Sequence, residues 1–309
     1  MFDIKIKELG EEDLFNPLPY FQQSIFWGDF KARHGWTLKK FEISWTFTEE
    51  LTEDIHNCSN EENRKVNTFS KKEDVCVMIR SFAKGLFSMA YIPLYPSLPF
   101  ECTDEKLLDE AIEGEGDSFI SESPVTPETQ TIEFTDLLNG IGLALKPFLP
   151  KNTICVRLDP NVEFTSPEER DDFNMGMKIV SVADGLKVRK SKVDIQPPDS
   201  TRVILSGSED EILENMKSKW RYNIRLAEKK GVQIEKYTGK DISLYEKLDI
   251  FYDLYKITAE RDGISPHPKS YYMDLLQNSS ENHLVSLYLA KHEDDYLGGN
   301  RLSPRGENF

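Results

Sequence analysis

Several things are scarce in this 309-residue chain, and each scarcity closes off a class of protein. No apolar run approaches the roughly eighteen residues that a spanning helix requires. Residues 1–15 lack the charged-then-apolar form of a signal peptide. The four cysteines, Cys58, Cys76, Cys102 and Cys155, show neither a CxxC pair nor metal-like spacing, so a disulfide framework is not indicated. They fit structural thiols in a reducing cytoplasm. The five histidines, His34, His56, His267, His283 and His292, show no HExxH or paired spacing, and no metal is expected. GxSxG and P-loop sequences are absent, which removes the common hydrolase and kinase readings.

What is present is a foldable, acidic chain. Apolar residues make up 39%, with 18 Phe, 12 Tyr and 4 Trp, enough for a packed core and too much for global disorder. The net charge of −16 is unevenly placed. Residues 101–136 carry a net −11 and residues 49–74 a net −4, so the remainder is almost neutral. The acidity belongs to two insert-like segments, 47–74 and 101–130, expected to be irregular and peripheral. It does not argue against an anionic ligand elsewhere.

The period of the hydrophobic pattern gives the elements. Strands are expected over 2–6, 37–43, 75–82, 86–92, 153–158, 187–195, 201–205 and 284–291, with Ala83-Lys84-Gly85 as a hairpin turn. Helices are expected over 24–34, 135–148, from Pro167 onward, over 208–230, 242–263 and 268–277. The order strand, helix, strand, hairpin occurs once in each half. It is compatible with an α/β chain with mixed sheets, although no internal sequence repeat is visible.

Residues 195–232 are the densest block. Ser208 followed by Glu211 has the form of a capping box, and Gly231 closes the run. Ile212, Met216, Trp220, Ile224 and Ala227 recur at near-helical spacing, an apolar stripe expected to face inward. Lys217, Lys219, Arg221, Arg225, Lys229 and Lys230 make the polar face strongly cationic. A basic helix in an acidic chain points to an anionic partner, although a solvated cationic face would look the same.

This block, residues 21–36 (FQQSIFWGDFKARHGW) and residues 251–276 (FYDLYKITAERDGISPHPKSYYMDLL) together resemble the Fem family. Its members are aminoacyl-tRNA-dependent peptidyltransferases that build peptidoglycan cross-bridges. The first block matches the QS–x–x–W–x–x–x–K–x–x–x–GW element and the third the RDG…YY helix pair. The resemblance implies two acyltransferase domains of the GNAT type, 1–150 and 151–309, the second incomplete. It also implies transfer of Gly, Ala or Ser from aminoacyl-tRNA, the co-substrate, to the stem peptide of UDP-MurNAc-pentapeptide or lipid II, without a cofactor. A cytoplasmic monomer is the expected form, and a peripheral membrane contact is compatible with a lipid-linked acceptor.

The resemblance also implies site residues. Lys31 takes the position of a family lysine that binds the sugar-peptide precursor, against the plainer reading of a solvated helix lysine. Arg221, Tyr222 and Arg225 on the basic helix are the candidate partners of a phosphate or carboxylate. Tyr271 and Tyr272 match the YY pair, and since neighbours on a helix diverge by about 100°, one of them is expected in the core. Arg261 and Asp262 read as a local pair. Leu94-Tyr95 stands where the family often has Arg-Gly beside an acid, leaving Asp104 as an offset candidate. After Tyr296-Leu297-Gly298-Gly299 the family's pattern is no longer followed, so the second domain is expected to be truncated near residue 299, with impaired activity. The rival class is a non-catalytic module that binds an anionic ligand or partner protein.

Overall fold

The computed structural model describes residues 2–50, 66–97, 127–162, 164, 166–179, 188–197, 207–279 and 285–302, in two compact units divided between Gln196 and Pro197. The first unit is built on a five-stranded sheet in the order β1-β2-β3-β4-β5. Its strands are β1 (Phe2–Leu9), β2 (Thr37–Glu50), β3 (Val66–Phe82), β4 (Phe87–Pro93) and β5 (Thr153–Asp159). All neighbours are antiparallel except β4 and β5, which run parallel with Tyr91 opposite Arg157. This mixed sheet confirms the α/β class.

Strict alternation explains why the sheet is covered on both faces. Phe41, Ile43, Trp45 and Phe47 of β2 are buried with Val75, Val77 and Ile79 of β3 and Ala90 and Ile92 of β4. They pack against Phe134, Leu137, Leu138, Ile141 and Leu145 of helix α2 (Pro127–Leu145). Each such side chain taken from water stabilises the fold by about 1.5–3 kcal/mol. The alternate residues of β3, Cys76 and Met78, are buried too, on the side of helix α1 (Ile25–Arg33), which packs on β2 and β3. Gly28 makes that approach feasible: a Cβ there would sit 2.6 Å from Leu38 Cδ2. Ser24 caps α1 by accepting a hydrogen bond from Trp27 N–H. Gln23 locks the helix start to the sheet, donating to Pro93 O (2.6 Å) and accepting from Cys76 N–H (2.6 Å).

Several expectations change. The first acidic insert is partly strand, because β2 continues to Glu50 and β3 begins at Val66, paired in register. Buried Phe47 and the Lys72–Glu42 ion pair (2.6 Å) anchor that extension, which net charge alone conceals. Residues 51–65, most of the second insert (98–126), Asp104 and the expected strand at 201–205 lie outside the described residues. Helix α2 starts at Pro127, eight residues before the apolar periodicity begins. Residues 188–195 form no strand; they run as an irregular segment over which Arg157 donates to Ser191 Oγ and Val193 O. The first unit reaches Gln196 and so contains β5 and α3 (Pro167–Ile179), elements that the sequence reading put in the second domain.

The second unit holds a three-stranded antiparallel sheet, β6 (Gln233–Tyr237), β7 (Ser286–His292) and β8 (Asp295–Leu302), in that order. Helices α6 (Leu244–Asp262) and α7 (Lys269–Asn278) pack together through the rings of Phe251, Tyr252 and Tyr255 against Tyr272, and Gly263 ends α6 with φ +67°. The expected single helix over 208–230 is two, α4 (Glu209–Asn215) and α5 (Ser218–Lys229). Met216 and Lys217 between them are extended, with ψ of 153° and 142°. The Ser208–Glu211 capping box is present. No helix among the described residues is long and apolar enough to cross a membrane.

Candidate functional site

The α1 side of the first sheet gathers charge and aromatic surface at one place. Lys31 and Trp27, one turn apart on α1, face Trp36, whose N–H donates to Lys31 O (3.1 Å). The Lys31 ammonium lies 5.4 Å from the Trp27 ring centre and 5.1 Å from that of Trp36. The Arg80 guanidinium, from β3, lies 5.4 Å from the same Trp36 ring and 5.7 Å from Phe82. Cations against aromatic faces gain up to about 2 kcal/mol when desolvated. Burial and then the charge of Arg80 hold the Lys31 ammonium below its ordinary value. Lys31 is therefore not the solvated helix lysine of the plainer reading.

The next layer sits at the carboxyl ends of the parallel pair β4 and β5, where open α/β sheets tend to present ligand sites. The Trp36 and Tyr91 rings are 6.3 Å apart. Tyr91 OH donates to Asp159 Oδ2 (2.7 Å) and accepts from Gln196 Nε2 (3.2 Å), and Gln22 Nε2 donates to Gln196 Oε1 (3.4 Å). Burial, above all, pushes the Tyr91 phenol well up, so it stays protonated and keeps donating to Asp159. Arg157 Nε lies 3.5 Å from Asp159 Oδ1, near enough for an ion pair though it makes no hydrogen bond. Asn161 Nδ2 donates to Tyr20 OH (2.8 Å). Such a surface can bind and orient an anionic, ring-bearing molecule. Neither described thiol is an activated nucleophile, since burial raises Cys155 and pushes Cys76 up to about 12.

Sequence reasoning found Lys31 here and missed Arg80, Tyr91, Arg157, Asp159 and Gln196. Arg80 had a visible signal as the lone cation closing the alternating run of β3. Tyr91 and Asp159 had a weaker one, their place at the ends of two strands.

The candidates of the second unit have different surroundings. Arg221 donates to Glu214 O (2.8 Å) and Met216 O, tying α5 to the end of α4. Its guanidinium is engaged in that structural tie. Tyr222 and Arg225 are exposed, Tyr222 at 64%. Trp220, expected to face inward, is 62% exposed, and α5 buries no residue completely. Both Tyr271 and Tyr272 are packed, at 7% exposure each, in a ring cluster with Phe251, Tyr252, Tyr255 and His267. Arg261 and Asp262 pair locally at 2.8 and 3.2 Å.

The first unit is thus a mixed α/β sheet with a cation-rich, aromatic-walled surface near its parallel strand ends. Residues 148–297 match the FemAB family. The matched segment includes Asp159, Gln196, α5 and α7, whereas Lys31, Trp36, Arg80 and Tyr91 precede it. Among similar curated proteins, the lipid II:glycine glycyltransferase of Staphylococcus epidermidis strain RP62A is 30% identical over 145 residues, 46% of this chain and 32% of that protein. Those of Staphylococcus aureus strain COL and Staphylococcus haemolyticus are 30% identical over 142 and 140 residues, covering 32% and 31% of their lengths. The matches thus span about a third of the length of these relatives. The crystal structure of FemX aligns with 88% of this chain and 53% of its own, at 19% identity and a TM-score of 0.46.

Proposed function

We propose that the chain serves aminoacyl transfer in peptidoglycan cross-bridge formation, and that the α1-side site of the first unit holds the phosphate-bearing part of the precursor. The observation that carries this reading is Lys31, half-buried between Trp27 and Trp36 with a second cation beside it. A desolvated ammonium with aromatic walls suits a phosphate joined to a sugar or base ring. The acceptor is UDP-MurNAc-pentapeptide or lipid II, the latter being what the similar staphylococcal enzymes are named for.

In the reaction, the stem-peptide amine attacks the ester carbonyl of an aminoacyl-tRNA. An amide bond forms, the ester C–O bond breaks, and the tRNA hydroxyl leaves with the proton lost by the amine. The protein's part is to position two large substrates. No organic cofactor or metal enters this scheme, and the two units correspond to the two acyltransferase-like domains. Exposed Tyr222 and Arg225 on α5 remain available for the second substrate, whereas Tyr271 and Tyr272 shape the unit's interior.

The test is transfer from radiolabelled glycyl-, alanyl- and seryl-tRNA to UDP-MurNAc-pentapeptide and to lipid II. Label entering either acceptor with one of the three donors is the expected result. Absence of transfer with all six pairs, while the protein also fails to bind either acceptor, would overturn the proposal.

A further inference from the structure

One end of the first sheet carries the reverse of the chain's overall charge. Residues 75–93 and 137–158 contain no Asp or Glu and hold five cations, Arg80, Lys84, Lys146, Lys151 and Arg157, in a chain of net charge −16. The fold brings these two stretches together. The turn between β3 and β4 meets the loop between α2 and β5, where Asn152 Nδ2 donates to Gly85 O (2.8 Å) and Ser88 N–H donates to Asn152 O (3.0 Å). Ala83, Lys84 and Gly85 take left-handed φ of 49°, 57° and 88°, a costly conformation for the first two. The turn so held leaves Leu86 77% exposed at its tip. A register shift between Ser88 and Met89 skips Ile154 of β5, which stands 69% exposed. Phe87 is exposed next to Leu86, its ring stacked on Phe82. Lys84, Lys146 and Lys151 are exposed on the same turn and loop.

We propose that this end of the first unit docks on an anionic lipid bilayer, with Leu86 and Ile154 entering the headgroup layer and Lys84, Lys146 and Lys151 meeting the lipid phosphates. Protruding aliphatic side chains ringed by lysines suit that partner. A nucleic acid would use free aromatic faces for stacking, and here the Phe87 ring is already stacked on Phe82. A second copy of the same surface would set lysines against lysines. The acidity elsewhere does not prevent docking, because exposed charges beyond about 8–10 Å are screened at physiological salt. The carboxylates that the topology puts at this end belong to β1 and the residues after it. Glu8 and Asp13 are paired with Lys39 and Lys7 (2.9 and 2.8 Å). Glu11 and Glu12 follow an edge strand that lies three places, roughly 14 Å, from β4. The Phe82 ring also lies 5.7 Å from the Arg80 guanidinium, so the surface adjoins the candidate site. Docking would bring that site to the headgroups and favour the lipid-linked acceptor, a consequence that alone rests on the proposed function.

The test is sedimentation of the full chain with vesicles of phosphatidylcholine alone and of phosphatidylcholine mixed equally with phosphatidylglycerol. Binding to the anionic vesicles, weakened by added salt, with little binding to the neutral ones, is the expected result. Lys84→Gln, Lys146→Gln and Lys151→Gln together should weaken it by about a hundredfold, since each lysine at a charged membrane surface is worth about fivefold. Leu86→Ser with Ile154→Ser should weaken it by about tenfold or more and keep the salt dependence. Lys219→Gln with Lys229→Gln, on the basic helix α5, should bind as the native chain does. All of these residues are exposed, so the variants should unfold at the native temperature, which separates binding from stability. No binding to either vesicle, equal binding to both, native-like binding by the triple lysine variant, or a larger loss in the α5 variant would each overturn the proposal. Without vesicle binding, self-association lost in Leu86→Ser would assign the surface to a second copy, and retention of an RNA oligonucleotide lost in the triple variant would assign it to nucleic acid; either overturns the proposal. Vesicle docking by a chain that transfers no amino acid would sink the proposed function and leave this inference standing.

Discussion

Helices α1 and α5 both carry basic and aromatic residues, and the sequence marks both as binding helices; the structure treats them oppositely. On α1, Phe30 is fully buried, Gly28 brings the backbone onto Leu38, and Lys31 is held between two indoles with Arg80 nearby. On α5 no residue is fully buried, Trp220 and Tyr222 stand in solvent, and Arg221 is used to join two helices. The lesson is that charge density along a helix says little about a site. What sets Lys31 apart is the packed wall around it, and among the described residues α5 has no comparable one.

The comparison breaks most easily through the core. Ile141→Ala, beneath the first sheet, should cost about 2–5 kcal/mol, and Ile224→Ala on α5 well under half of that. Urea unfolding followed by fluorescence would compare the two midpoints, and equal shifts would contradict the contrast. Next in size is Gln23→Ala. It strands Pro93 O and Cys76 N–H in a buried place, so a loss of about 2–3 kcal/mol is expected in the same measurement.

A smaller effect separates the two arginines of α5. Arg221→Ala should loosen the α4–α5 junction by about 1 kcal/mol, read as faster amide exchange at Leu226 and Ala227, while Arg225→Ala stays within about 0.5 kcal/mol. Equal exchange in the two variants would remove the structural role given to Arg221.

The smallest effect is a displacement in pH. The folded protein holds the Lys31 ammonium below its ordinary 10.5, first through burial and then through Arg80. A folded value below the unfolded one means that the folded chain gives up its proton first, so this group adds stability only as pH rises through that window. Anion binding needs the protonated form and therefore weakens as pH climbs through the depressed value. Arg80→Gln removes one cause of the depression, so the midpoint of that weakening should move upward. A downward move in pyrophosphate titrations across pH would contradict the assigned cause.

Much of the first sheet could be read along the chain, because the period-2 runs at Phe41–Ile43–Trp45 and Val75–Val77–Ile79 are also its buried rows. The cap at Ser208 was equally legible, since it depends on Glu211 three residues on. The break at Met216-Lys217 was not: neither residue is a helix breaker, and the bond that fixes it comes from Arg221 back to carbonyls. Strand β6 escaped for another reason. Its five residues, QIEKY, bury nothing completely and owe their conformation to pairing with β7 more than fifty residues on. Tyr91 and Asp159 meet through the register that sets Tyr91 opposite Arg157, which no local pattern encodes.

The most direct measurement of the central claim is the affinity of the full chain for UDP-MurNAc-pentapeptide, native against Lys31→Gln, by tryptophan fluorescence. Trp27 and Trp36 flank the ammonium, so occupancy should change their emission. The account predicts saturable binding by the native chain and a loss of about tenfold or more in Lys31→Gln, with the unfolding temperature unchanged. Equal affinity of the two proteins would show that the α1-side site does not hold the precursor.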